Sequence, residues 1–191
     1  MNIINVIENG WNCEQDCPFF YMENVLNQVE IHERGGVFHY MEDWKKDRVG
    51  SAARGENPMV IAKMKSGYAV IGDNQFLPGY CVLLGYPQAA SLNELSAADR
   101  AQFLADMTAI GDAIIEVCHP LRVNYMILMN QDHYLHAHIE ARYDWEPEEN
   151  KSRPTFFYPK EFRYAKENEY TEEKFGELKR LIGEELKNNK N

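Results

Sequence analysis

The sequence predicts an α+β fold built on an antiparallel sheet of about five strands. Two observations carry that reading. Five short segments rich in aliphatic, β-branched and aromatic residues follow one another between Met59 and Tyr143. A single long helical stripe separates the third from the fourth, whereas a doubly wound fold would set a helix after every strand.

Residues 1–57 read as an N-terminal extension. It is irregular apart from one helix expected around Cys17 to Ile31, where Phe20, Val25, Leu26 and Val29 fall at helical spacing before Gly35-Gly36. Gly50 and Gly55-Glu56-Asn57-Pro58 form a turn-rich boundary. The core domain is expected over residues 58–145. Val60-Ile61-Ala62 is its first strand and Lys65-Ser66-Gly67 a turn. Tyr68-Ala69-Val70-Ile71-Gly72 is the second strand, closed by the polar break Asp73-Asn74, and Tyr80-Cys81-Val82-Leu83-Leu84 is the third. Ser96 caps a helix whose apolar face is Phe103, Leu104, Met107, Ile110, Ile114 and Ile115. The fourth strand, Asn124 to Met129, stops at Asn130, and the fifth covers 134–143. Residues 146–191 supply an aromatic segment and a final helix from about Thr171. Its stripe of Phe175, Leu178, Leu181, Ile182 and Leu186 is expected to dock on the core.

Composition narrows the function. At 45% hydrophobic and 12% aromatic residues, the 191-residue chain can bury a core. A net charge of -10 repels phosphate backbones and argues against long nucleic acid as a partner. No apolar run approaches the roughly 20 residues that span a bilayer, and Met1-Asn2-Ile3-Ile4-Asn5 lacks the basic and apolar regions of a secretory signal. Four cysteines at 13, 17, 81 and 118 do not look like a disulfide framework, and Cys81 and Cys118 sit in apolar patterns as core residues. A reduced, cytoplasmic setting is expected.

Three of the six histidines lie within Asp132-His133-Tyr134-Leu135-His136-Ala137-His138-Ile139. In an extended chain, residues two apart share a face. One face then carries Tyr134, His136, His138, Glu140 and Arg142, and the other Leu135, Ala137, Ile139, Ala141 and Tyr143. Imidazoles can attack phosphorus or hold it, because their pKa lies near working pH. Glu140 and Arg142 read as a solvated ion pair, and the aromatic stretch 143–163 as a cover for core or interface.

The run Leu135-His136-Ala137-His138-Ile139, followed by Arg142-Tyr143, resembles the end of the histidine-triad motif. Ile71-Gly72-Asp73-Asn74-Gln75 and Pro78-Gly79-Tyr80-Cys81-Val82-Leu83-Leu84 resemble the family's nucleotide-binding segment and the strand after it. The likeness covers roughly residues 59–143 and extends to bacterial members labelled diadenosine tetraphosphate hydrolases, through Tyr143-x-Trp145-Glu146-Pro147. It implies a nucleotide phosphoanhydride hydrolase working through a nucleotidyl-histidine. A nucleotidyltransferase or phosphoramidase, or a binding protein without turnover, is the alternative. By position His136 would be the nucleophile and His138 would bind phosphate oxygens. Asn130 would orient or bind phosphate, Gln131 or Asp132 would substitute for the family's missing Gly-Gln/Ser phosphate contacts, and Asp73, Ile71 and Asn74 would hold ribose and base.

The resemblance also implies a homodimer. No cofactor is required, though Mg²⁺ could arrive with a polyphosphate substrate. Zinc is not expected, because Cys13-x3-Cys17 with His32 and His39 departs from the usual spacing. The chain also departs from the triad itself. Tyr134 holds its first place, and His133 is one residue out of phase, expected to face the apolar side as a bystander.

Overall fold

The computed structural model describes residues 43–188. The helix expected around Cys17 to Ile31, and Cys13, Cys17, His32 and His39, lie outside them. Two short helices, α1 (Asp43–Lys46) and α2 (Arg48–Arg54), open the described chain where an irregular extension was expected. Their signals are local. The Asp47 side chain accepts from the Gly50 N–H at 2.9 Å, and Gly55 ends α2 at φ 76°, a conformation that costs glycine little.

The sheet consists of β1 (Val60–Lys63), β2 (Gly67–Ile71), β3 (Cys81–Gly85), β4 (Arg122–Met126) and β5 (His136–Arg142). Every pairing is antiparallel, in the order β1-β2-β3-β5-β4. The first three strands form a meander. The helix α3 (Ala97–Cys118) then crosses one face of the sheet, β4 takes the edge, and β5 returns between β3 and β4. Ser96 caps α3 through its side chain, as expected.

Register divides the side chains of the sheet. Ala137, Ile139, Ala141, Leu83, Cys81, Ala69 and Ile71 share the α3 face and are fully buried. Phe103, Ile110 and Ile114 of α3 meet them, while Leu104 and Ile115, expected on the same stripe, stand 39% and 43% exposed at its margins. The opposite face carries Tyr68, Val70, Val82 and Leu84, and then His136, His138, Glu140 and Arg142.

The single-turn helices α4 (Glu148–Lys151) and α5 (Lys160–Arg163) pass close to this second face, and α6 (Glu172–Asn188) packs on α3 and β1. Ile182 and Leu186 are buried there, while Leu181 of the expected stripe is partly exposed. Among the described residues no helix is long and apolar enough to cross a membrane.

Candidate functional site

The return of the C-terminal segment changes the expected polar face of β5. Glu140 and Arg142 do not form a solvated pair, since both are buried. Arg142 makes its ion pair with Glu146 at 2.8 Å instead. Its Nε–H also meets Glu146, and its remaining donors reach Asn124 Oδ1, the Arg153 carbonyl and the Asn150 carbonyl, so all five N–H groups are engaged. Glu146 also accepts from the Tyr143 N–H and the Tyr158 hydroxyl, each at 2.6 Å. Burial pushes the Glu146 carboxyl up, but these donors, Arg142 first, hold it below its ordinary value. Glu140 accepts from Thr155 Oγ1 at 2.5 Å, and burial pushes its carboxyl up.

His136 and His138 remain, side by side on this face with ring centroids 4.9 Å apart. His136 Nδ1 lies 2.8 Å from the Tyr134 carbonyl. A carbonyl can only accept, so Nδ1 carries the proton and Nε2 is left as the basic nitrogen. His138 Nδ1 lies 2.7 Å from the Tyr80 hydroxyl. Burial, reinforced by His136, pushes the His138 imidazole down to about 4, and burial raises the Tyr80 phenol well above its ordinary value. Both groups are therefore neutral at neutral pH, and one hydrogen bond joins the Tyr80 hydroxyl to Nδ1, leaving His138 Nε2 outside it.

Tyr134 occupies the first triad place with its ring 5.2 Å from that of His136. Burial, and then Asp132, pushes its phenol up to about 12, so at neutral pH it holds a proton. His133 is exposed in the loop before β5, not on the apolar side, because the strand begins only at His136. The same late start leaves Asn130 and Gln131 exposed in an irregular loop, for β4 ends at Met126 and not next to Asn130.

The second segment is placed as follows. Asp73 leaves β2 toward the same region, but its carboxylate is gripped by Arg48 of α2 through two hydrogen bonds of 3.0 and 2.5 Å. Arg48 in turn lies 5.2 Å from the Trp44 ring centroid and within electrostatic reach of Asp132 and Tyr134. The Asn74 side chain accepts from the Phe76 N–H, closing a local turn. Ile71 is fully buried in the α3 face, so its side chain has no surface to offer a base or ribose.

Buried Gln75 fixes this loop. Its amide donates to the Gly72 and Tyr80 carbonyls, each at 2.9 Å, and its oxygen accepts from Gly79. Gly72 is required by proximity, since a Cβ there would stand 2.1 Å from the Tyr80 ring.

Sequence reading missed Arg48 and Tyr80. Arg48 follows the Asp47 cap, a legible helix start, but its partner lies 25 residues away. Tyr80 reads as an ordinary strand residue, and only the β3–β5 register, 58 residues apart in sequence, brings it to His138.

Solved structures share this fold. A histidine triad protein from Sinorhizobium meliloti 1021 aligns with a TM-score of 0.57 at 18% identity, over 66% of this chain and 88% of its own. A hypothetical histidine triad nucleotide-binding protein from Sulfolobus tokodaii strain7 aligns with a TM-score of 0.57 at 16% identity, over 74% and 92%. A zinc-bound histidine triad family protein from Mycobacterium smegmatis gives 0.54 at 16% identity, over 73% and 94%. No family model and no curated protein matches the chain. At these identities the likeness is one of fold: the chain has the α+β fold of the histidine triad proteins.

Proposed function

We propose that the chain is a nucleotide-acting enzyme that cleaves a phosphoanhydride or phosphoramidate bond through a nucleotidyl-histidine. The observation that supports this most is the pair of adjacent imidazoles on one strand face, with His136 Nδ1 on the Tyr134 carbonyl and its Nε2 left as the basic nitrogen. His136 Nε2 attacks the α-phosphorus, forming an N–P bond as the bond to the leaving group breaks and its electron pair departs with that group. Water then splits the N–P bond and returns the free imidazole. His138 Nε2–H donates to a phosphate oxygen as charge develops there. Asn130 and Gln131, in the exposed loop before β5, are candidate phosphate contacts, and Asp73 is the candidate ribose acceptor, reached by displacing or sharing Arg48. Within this class we favour a dinucleoside polyphosphate such as diadenosine tetraphosphate, with Mg²⁺ carried by the substrate, in a cytoplasmic homodimer.

A second reading, nucleotide binding without turnover or transfer to another acceptor, is favoured by Tyr134 in the first triad place and by the engaged Asp73. Incubation with diadenosine tetraphosphate and with an adenosine phosphoramidate separates them. Turnover by the wild type is expected to fall at least about a thousandfold in His136→Ala, as expected when a covalent nucleophile is removed. Turnover that survives the substitution overturns the nucleophile, and tight binding with no turnover by the wild type selects the second reading.

A further inference from the structure

A concavity lies on the histidine-bearing face, at the β4 edge of the sheet. It encloses about 340 Å³, and its polar lining includes Arg122, Asn124, Glu140, Lys151 and Arg153. Register explains its place. Arg122, Asn124 and Met126 stand opposite Arg142, Glu140 and His138, and directly opposed residues project to one face. Met126, opposite His138, borders the cleft, and Arg122, opposite Arg142, stands about 13 Å farther along the strands.

Charge within the cleft is unevenly settled. Arg142, which also lines it, is saturated by Glu146 and three oxygens. Lys151 pairs with Glu148 at 3.1 Å. Glu140 is buried against Thr155, and burial pushes its carboxyl toward the neutral form. Arg122 and Arg153 are exposed, and neither guanidinium has a partner among the described residues. Two unneutralised guanidinium groups thus line one cleft in a chain of net charge -10, on the sheet face that also carries the histidines. A planar guanidinium is matched in geometry to phosphate and to carboxylate oxygens.

We propose that this cleft is the subsite for an anionic group of the substrate remote from the phosphorus that His136 attacks. That group is a distal phosphate of a polyphosphate chain or a carboxylate on the leaving group. The inference rests on the reading of the histidines as a nucleotide site. It makes Arg122 and Arg153 specificity residues, which distinguish a substrate extended by negative charge from a plain nucleoside monophosphate.

Calorimetric titration of the wild type and of the double variant Arg122→Gln/Arg153→Gln tests this. The probes are AMP, the α,β-methylene analogue of ATP, an adenosine phosphoramidate of an acidic amino acid, and inorganic pyrophosphate. The wild type is expected to bind the triphosphate analogue or the carboxylate-bearing phosphoramidate at least about tenfold tighter than AMP, the scale of one charge-assisted hydrogen bond. Which of the two gains identifies the group.

The double variant is expected to bind AMP as the wild type does, which also reports an intact fold, and to lose the gain. A gain that persists in the double variant, or no gain over AMP for either probe, overturns the subsite. Pyrophosphate binding that depends on both arginines, with no nucleotide bound by the wild type, supports the cleft and removes the nucleotide reading. Failure of every probe to bind the wild type removes both.

Discussion

At the scale of residues, two identical side chains on one strand are held by different partners. A backbone oxygen forces the proton of His136 onto Nδ1, while the same atom of His138 is hydrogen-bonded to a phenol. The depressed value of His138 has a measurable consequence. The unfolded chain takes up this proton near 6.5 and the folded chain only near 4. The resulting stability is fully present above the unfolded value. It is expected to fall as pH drops through that window, by on the order of 1 kcal/mol per pH unit. Urea unfolding of the wild type and of His138→Gln across that range checks this, and equal slopes in the two proteins would contradict it. His136 and His138 were legible from a spacing of two. Tyr80 and Arg48 were not, because their roles depend on a cross-strand neighbour and on a helix far away in sequence.

At the scale of elements, the segment after β5 decides how the strand behaves. Period-two alternation was legible, yet alternation alone reads a polar face as a wet one. The stretch from Tyr143 to Tyr158 returns over the face, and the buried Arg142–Glu146 pair ties the two together with Tyr158 and Asn150 as further partners. A buried pair is costly to break from one side, because the surviving charge stays out of water. Glu146→Gln is therefore expected to cost about 3 kcal/mol, seen as a lower denaturation midpoint with an unchanged denaturant slope. A loss under 1 kcal/mol would mean that the segment relaxes away freely. Farther along the chain, residues 168–170 are hydrogen-bonded to the loop carrying Asp73, through Gln75 N–H to the Asn168 carbonyl and Tyr170 N–H to the Asp73 carbonyl. Such pairings leave no trace in local sequence patterns.

At the scale of the whole molecule, the strand count and the single long helix were legible, whereas the order β1-β2-β3-β5-β4 was not, since periodicity carries no information on neighbours. The C-terminal helix joins this whole through Ile182 and Leu186, both buried, with Gly183 close against Ile61. Leu186→Ala is expected to cost about 3 kcal/mol through lost burial and the cavity left behind, measured by equilibrium unfolding. A change below 1 kcal/mol would show that α6 is peripheral.

The strand order bears on the working life of the site. Because β5 is hydrogen-bonded on both sides, neither fraying of an edge nor detachment of one neighbour frees the strand that carries both imidazoles. The pairing of the two rings is thereby tied to the integrity of the sheet's middle, not of its rim.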